Sequence, residues 1–411
     1  MTQVCVDAAN FIHHCTGRLP NGLLADIHLQ NGAIASVGPV ASSDASLSGP
    51  SDELFICPGF LDLQVNGFAG VDLNADEVSP SDVVRLTKAM WATGVTSFLP
   101  TIITGSFERL GRAMTAVRQA IADSSVARRG VLGIHLEGPY LSSEDGPRGA
   151  HELRYIRDPD WGEFEALQRL SGNNIKMVTV APERPRAAAF IRRLVDSGVV
   201  VAIGHTAATE EQIEEAVRAG ARVSTHLGNG SHPLLPRHDN YIWAQLAQDR
   251  LWASLIADGQ HLPPSVLKSF VRAKQGEVAL VSDAVHLAGL APGVYETNIG
   301  GKVELLENGR LQVYSDPRIL AGAAAGIDRG VQNIVRHTDL AFEGAIRLVT
   351  ENPAAVIGAE DRGRIAPGQS ADLTMVLFSE KTQSVRIAGT VVHGELVYAD
   401  HAALEPFLKP V

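Results

Sequence analysis

The chain has two kinds of hydrophobic pattern, one at both of its ends and the other in its middle. In the N-terminal part, short apolar segments are separated by Asn-Gly dipeptides at 21–22 and 31–32, a spacing typical of β-hairpins. The C-terminal part repeats the pattern in the segments ADLTMVLFS, TQSVRIAGTVVHG and ELVYAD. We therefore predict that residues 1–56 and 362–411 pair into one small β-sandwich domain.

The middle of the chain, residues 57–361, repeats a short apolar run followed by an amphipathic, helix-like segment. Such alternation predicts an α/β fold, a (β/α)₈ barrel, with an open doubly wound sheet as the alternative. After the last run we expect a glycine-rich hairpin insertion and then a helix pair around 327–358. The eight apolar runs are FLDLQVNG, TSFLPTI, VLGIHLEGPY, IKMVTVAPE, VVVAIGHT, RVSTHLGNG, LWASLIADG and VALVSDA.

The composition excludes some classes of protein. Of the 411 residues, 45 % are hydrophobic, which is enough for a large core. A net charge of −11 argues against nucleic acid as a partner. Three cysteines are too few for a disulfide framework, and neither a secretion signal nor an apolar run of about 18 residues occurs. We therefore expect a cytoplasmic protein with no membrane span.

Polar side chains follow the predicted strands at their carboxyl ends. In a barrel these ends lie on one face, where catalytic residues are found. Acidic and imidazole groups there are costly to bury unless a ligand or a metal pairs with them. In strand order they are Gln64 with Asn66, Glu137, His205, His226, Asp258 and Asp283.

One carboxylate and two imidazoles, Glu137, His205 and His226, make a three-ligand metal set with one coordination position left open. Zinc suits this set, and iron(II) or another borderline divalent ion is the alternative. A water acidified by the ion would be the nucleophile of a hydrolysis. Asp283 would accept the proton of that water and return it to a leaving amine. For each histidine alone, a hydrogen-bonded core residue is the competing interpretation.

Five motifs in a fixed order resemble those of the N-acetylglucosamine-6-phosphate deacetylase family in the amidohydrolase superfamily: HLEGPY, AIGHTAAT, THLGNG, IADGQHL and LVSDA. PGFLDLQVNG, LAGAAAG and the segment from ENPAAVIG to ADLTMV extend the resemblance over nearly the whole chain. The resemblance implies an enzyme that hydrolyses the acetamide of N-acetylglucosamine 6-phosphate to glucosamine 6-phosphate and acetate. It also implies a metal on Glu137, His205 and His226, with Asp283 as general base and acid.

The resemblance implies further roles on individual loops. His151 matches a histidine that contacts the substrate near its acyl group. His261, Asn229 and Gly230 match positions that contact the sugar phosphate. Arg237 lies at the spacing of a phosphate-binding arginine that reaches across a dimer interface in related enzymes, so a homodimer is expected.

The pair Gln64 and Asn66 also has a counterpart in the family. Members with amides here resemble the single-metal form, whereas members with His-x-His can hold a second metal. We therefore expect one divalent metal per chain, with both amides lining the vacant side. The alternative is that the amides only hydrogen-bond neighbouring strand ends.

The loop after His226 departs from the family pattern. It reads HLGNGSHPLLPRHDNY, where the family has HLYNAM or HLFNAM. The added His232 and His238 either bind an anion or are solvated, and Tyr241 is added beside them. Whether the substrate carries a 6-phosphate therefore stays open. The alternative substrates are another N-acyl amino sugar, non-phosphorylated or galacto-configured, and an N-acyl amino acid. A more distant alternative is a non-catalytic sugar-phosphate-binding protein.

Overall fold

A computed structural model describes residues 2–7, 9–40, 53–297 and 301–410. The parts of the predicted N-terminal β segment and of the predicted insertion that fall between these ranges lie outside the described residues. The first strands are β1 Gln3–Val6, β2 Ile12–Arg18, β3 Leu24–Gln30, β4 Ala33–Pro39 and β5 Glu53–Pro58.

The predicted turn at 31–32 is a two-residue hairpin loop. Gln30 pairs with Ala33, and Asn31 and Gly32 between them have φ values of 52° and 76°. Positive φ at both loop positions matches the right-handed twist of the flanking strands, which explains the Asn-Gly sequence.

The middle of the chain alternates strands and helices as predicted. A helix that follows a strand packs on the outside of the sheet and returns the chain so that the next strand is parallel. The elements are β6 Phe60–Val65, β7 Gly67–Phe68, β8 Val71–Asp72, α1 Pro80–Met90, β9 Val95–Ile103, α2 Phe107–Asp123, α3 Ser125–Gly130, β10 Ile134–Glu137, α4 Trp161–Leu170, β11 Ile175–Val180, α5 Ala187–Asp196, β12 Val200–Ile203, α6 Glu210–Arg218, β13 Val223–Ser224, α7 Tyr241–Leu246, β14 Trp252–Ile256, α8 Pro264–Ala273 and β15 Val278–Val281.

The eight predicted apolar runs form one parallel sheet in chain order, β6, β9, β10, β11, β12, β13, β14 and β15. The first and last strands meet, because the Asp283 amide donates to the Gln64 carbonyl and the Asn66 amide to the Ala284 carbonyl, both at 2.9 Å. The sheet therefore closes into a barrel, which confirms the (β/α)₈ prediction, and the open-sheet alternative is wrong.

Capping residues mark the starts of two barrel helices. Ser79 precedes α1 and forms a capping box with Asp82, in which each side chain accepts from the other residue's backbone amide. Thr209 and Gln212 do the same at α6. These contacts satisfy amide groups that a helix start leaves without a partner.

Two predictions after the eighth strand need correction. The insertion is a four-stranded antiparallel sheet rather than a hairpin, and three helices replace the predicted pair. Pro353 explains the extra helix, since its ring would clash with the preceding turn if the helix from Phe342 continued. The elements are β16 Gly293–Thr297, β17 Gly301–Leu305, β18 Leu311–Val313, β19 Asp316–Leu320, α9 Ile327–His337, α10 Phe342–Arg347 and α11 Glu351–Ile357.

The two chain ends pair as predicted. The C-terminal elements are β20 Leu373–Ser379, β21 Ser384–Val392, β22 Glu395–Ala399, α12 His401–Leu404 and β23 Leu408–Pro410, and short 3₁₀ helices cover Trp91–Thr93, Leu153–Tyr155 and Glu405–Phe407. β5 pairs antiparallel with β20, so strands from both ends form one nine-stranded sheet with its own hydrophobic cluster. The exact domain boundaries, 56/57 and 361/362, stay a prediction.

Candidate active site and metal centre

The barrel brings the predicted ligand residues together at the carboxyl ends of its strands. Glu137 ends β10, and His205 and His226 follow β12 and β13. One ligand atom from each of these three side chains lies within 4.8 Å of the others, and all three side chains are buried. Glu137 Oε1 lies 3.2 Å from His205 Nε2 and 3.0 Å from His226 Nε2.

The donor set fits a bound cation. His205 Nδ1 lies 2.8 Å from the Pro147 carbonyl oxygen, and because a carbonyl only accepts, Nδ1 carries the proton. The lone pair of His205 Nε2 therefore points into the cluster, 3.0 Å from His226 Nε2. This is the backbone contact by which proteins orient a metal-binding imidazole. These residues could hold a divalent metal.

The electrostatics of the cluster favour a carboxylate. Burial alone would raise the pKa of Glu137, but the two imidazoles beside it hold that pKa well below its usual range. The backbone is strained at the same place, with φ values of 50° at His205, 29° at His226 and 49° at Asp283. Positive φ in such residues is a cost that functional sites often carry.

The amides of Gln64 and Asn66 hydrogen-bond neighbouring strand ends, as one of the two interpretations of the sequence expects. Gln64 Nε2 donates to Glu137 Oε1 at 2.8 Å, and Asn66 Nδ2 donates to Asp283 Oδ1 at 2.7 Å. Asn66 Oδ1 is buried and has no hydrogen-bond partner among the described residues. The two amides thus orient the two carboxylates and leave one acceptor facing the site.

Asp283 follows β15 and lies beside the cluster. Burial and the nearby Glu137 carboxylate raise the pKa of Asp283 to about 6. Asp283 is therefore mostly ionised at neutral pH, and a pKa this close to neutrality suits a general base.

His151 reaches the cluster from the loop after β10. Its Nε2 lies 3.2 Å from His205 Nε2, and its Nδ1 lies 2.8 Å from Thr104 Oγ1. Burial and the neighbouring His205 lower the pKa of His151 well below its usual range, so the ring is neutral. A neutral imidazole at this position can act as a hydrogen-bond donor to an uncharged oxygen.

His261 is held by Asp258. Asp258 Oδ2 lies 2.8 Å from His261 Nδ1, and Oδ1 accepts from the backbone amides of Gln260 and His261 at 2.8 and 3.0 Å. Burial alone would raise the pKa of Asp258, but the contact with His261 lowers it overall. Asp258 therefore orients the loop that carries His261.

The divergent loop after β13 places Asn229 and Gly230 beside His205, and His232 against another loop. Asn229 and Gly230 line a small cavity next to His205, together with Tyr241 and Gln245. His232 is partly exposed, with 27 % of its side-chain surface accessible; its Nε2 lies 3.2 Å from Glu144 Oε2 and its amide donates to the Tyr241 hydroxyl at 2.7 Å.

Arg237 and His238 lie apart from this cavity. Both are exposed, and the Arg237 guanidinium has no hydrogen-bond or ion-pair partner among the described residues. The barrel face of a single chain therefore does not bring Arg237 into the cluster of ligands.

Some residues that shape the site were not singled out from the sequence. Glu183 follows β11 and accepts hydrogen bonds from the Thr206 hydroxyl and the Ala207 amide, so it holds the segment after His205. Its position at the end of the fourth barrel strand was the available signal. The contacts of Thr104 and of the Pro147 carbonyl had no signal in residue type or spacing.

Gly230 allows the loop to pass close to His205, and we expect Gly230→Ala to reduce kcat/KM by about 10²-fold through displacement of that ring. A Cβ at Gly230 would lie 2.7 Å from His205 Nδ1, and φ is +56°. Gly358→Ala is the matched control, since φ there is +70° but nothing lies within 4 Å. Steady-state kinetics of both variants separates contact with His205 from backbone strain. Equal, small effects would contradict the role of the close approach.

Comparison with known proteins agrees with this geometry. The profile described as amidohydrolase family matches residues 55–397. The human N-acetylglucosamine-6-phosphate deacetylase is 33 % identical over 85 % of this chain and 84 % of its own length. The N-acetylgalactosamine-6-phosphate deacetylase of Escherichia coli O157:H7 is 30 % identical over 88 % of this chain and 93 % of its own length.

A solved structure extends the similarity to three dimensions. A mutant N-acetyl-D-glucosamine-6-phosphate deacetylase from Mycobacterium smegmatis, in complex with N-acetyl-D-glucosamine-6-phosphate, aligns with a TM-score of 0.79. The alignment has 28 % identity and covers 92 % of this chain and 95 % of that one.

The barrel, its strand-end cluster and these matches define an amidohydrolase, a hydrolase of the barrel class that acts on an amide. Within that class, the chain belongs to the N-acetylglucosamine-6-phosphate deacetylase family. None of the helices in the described part of the chain is both long enough and apolar enough to span a bilayer.

Proposed function

We propose that this protein hydrolyses the acetamide of N-acetylglucosamine 6-phosphate to glucosamine 6-phosphate and acetate. The observation that carries the proposal is the convergence of Glu137, His205 and His226 next to Asp283, each on a buried strand end. The relatives named for this activity support the choice of substrate.

Glu137, His205 and His226 would hold one divalent metal per chain, zinc first and iron(II) or another borderline ion second. When bound, the ion supplies a Lewis acid that polarises the acetyl carbonyl and acidifies a water. The contacts of Gln64 with Glu137 and of Asn66 with Asp283 use these amides as positioning groups. They support the single-metal form, with the amides on the side of a vacant second position.

Asp283 is the proposed proton carrier of the reaction. Its carboxylate takes a proton from the attacking water as the oxygen bonds to the acetyl carbon. The same proton is then donated to the amide nitrogen, the C–N bond breaks, and the amine leaves while acetate remains. Asn66 Nδ2, which donates to Asp283 Oδ1, holds the carboxylate so that its other oxygen faces the substrate.

Two histidines would orient the substrate. The neutral His151 donates to the acetyl oxygen, a role that its burial next to the metal ligands supports. His261, fixed by Asp258, would contact the sugar phosphate together with Asn229 and the backbone of Gly230.

Arg237 would bind the 6-phosphate of the partner subunit's substrate, which requires a homodimer. The exposed guanidinium, free of partners among the described residues, supports a role outside its own chain. A cytoplasmic location is part of the same proposal, and the free state of Cys5, Cys15 and Cys57 agrees with it.

We expect Arg237→Ala to raise KM for N-acetylglucosamine 6-phosphate by about 10- to 100-fold, because a charge-assisted contact is lost. KM for unphosphorylated N-acetylglucosamine should not change. Arg250→Ala, at another exposed arginine, is the matched control. Kinetics on both sugars makes the comparison, and equal losses with both would contradict the phosphate role.

The galacto epimer is the second candidate substrate, because a relative is named for N-acetylgalactosamine 6-phosphate. A panel of both epimers, with and without phosphate, and an N-acetyl amino acid identifies the substrate from the ratios of kcat/KM. Absence of turnover in the metal-loaded protein on every member would favour a sugar-phosphate-binding protein instead.

A further inference from the structure

A second cluster of metal-ligating side chains lies on the nine-stranded sheet. His14 on β2 is the direct cross-strand partner of His28 on β3, and their rings stack with centroids 4.6 Å apart. Asp26 is two residues from His28 and contacts both rings, with Oδ1 against His14 Nε2 and Oδ2 at 3.2 Å from His28 Nε2. The deacetylation proposed above uses none of these groups.

The spacing of these atoms suits a transition metal. One ligand atom from each of the three residues lies within 4.8 Å of the others. Ligand bonds of about 2.1 Å in a tetrahedral site place ligand atoms about 3.4 Å apart, so only small side-chain shifts are needed to hold an ion. Two imidazoles and a carboxylate are ligands that zinc, copper(II) and nickel(II) accept.

The carboxylate is fixed and charged. Thr16 Oγ1 donates to Asp26 Oδ1 at 2.8 Å. An aspartate carboxyl has an ordinary pKa of about 4, so this group is ionised at neutral pH. The side chains of His14, Asp26 and His28 keep 34 %, 36 % and 54 % of their surface exposed. An ion can therefore enter from solvent, and there is room for water ligands.

We propose that His14, Asp26 and His28 form a second metal site, which binds a borderline divalent ion such as zinc and links β2 to β3. An ion held by both strands would clamp the hairpin between them. The site does not depend on the proposed deacetylase activity, because its ligands belong to a different sheet from those of the barrel cluster. Metal analysis at high zinc would then count an ion that takes no part in catalysis.

Zinc binding to enzyme that retains its barrel metal tests the proposal, by equilibrium dialysis against zinc chloride followed by elemental analysis. We expect about one extra zinc per chain in the unmodified protein and none in the double variant His14→Gln/His28→Gln. His13→Gln is the matched control and keeps the extra zinc, because that ring contacts Asp7 instead of Asp26. Turnover of the barrel site should be unchanged in all three proteins.

Asp26→Asn keeps both imidazoles and removes only the charge, so it tests the site even if the double variant folds poorly. We expect its zinc affinity to fall at least about tenfold. Absence of an extra zinc in the unmodified protein would overturn the proposal. So would unchanged zinc binding in both variants, because the ion would then lie elsewhere.

Discussion

Asp283→Asn should lower kcat by about 10²- to 10⁴-fold while leaving metal content and fold intact. The amide has the size of the carboxylate and can still accept the hydrogen bond from Asn66 Nδ2, but it cannot take a proton from water. Asp283 is not part of the three-ligand cluster, so the metal should stay. Single-turnover kinetics with elemental analysis of the same sample measures both quantities.

The matched control for this substitution is Asp328→Asn. Burial raises the pKa of Asp328 to about 6 as well, but its hydrogen bonds are to the backbone at the start of α9. That variant should keep its turnover. An Asp283→Asn enzyme with near-full turnover would contradict the assignment of the base, whatever the control shows.

Glu137→Gln should remove the metal and reduce kcat/KM by about 10³-fold, or ~4 kcal/mol of transition-state stabilisation. Glu137 Oε1 faces both imidazoles, and a neutral amide would not offset the charge of a divalent ion there. A chelator should inactivate the unmodified protein to a similar extent, and added zinc should restore activity only in that protein.

Glu163→Gln is the matched control for the metal experiment. Glu163 is also a largely buried carboxylate, but it pairs with Arg157, outside the cluster. Its variant should retain about one metal per chain. A metal-free unmodified protein that still turns over would contradict the assigned ligand set. So would a Glu137→Gln protein that keeps a metal after His14 and His28 have also been replaced by Gln, because the proposed second site is then removed.

The substrate pocket was less predictable than the metal ligands. Acidic and imidazole side chains are unusual at the ends of buried strands, so the metal ligands can be recognised in the sequence by residue type and position. For the two added histidines in the loop after His226, residue type and spacing allow either anion binding or exposure to solvent. His232 is tied to Glu144 from another loop, a contact between residues far apart in sequence, while His238 is exposed.

Helix starts were also easier to predict from the sequence than the pairing of strands. The capping boxes of α1 and α6 are local features of the sequence, because the residues that form them are three positions apart. The insertion was expected to be a hairpin and has four strands, since strand number depends on which segments find partners. Pro353 limits the helix before it, but the sequence alone does not give the number of helices.

The sequence by itself determined the alternation of eight strands and helices, the β-rich ends and the residues able to bind a metal, because periodicity and side-chain chemistry are local properties. Only the tertiary structure decided how these residues meet. Barrel closure joins Asn66 to Asp283, the parallel pairing of β6, β9 and β10 brings Gln64 to Glu137, and a backbone carbonyl turns His205 toward the cluster. Strand pairing likewise brings His14 to His28. Such contacts depend on barrel closure and on which strands pair, and the pattern within a single strand specifies neither.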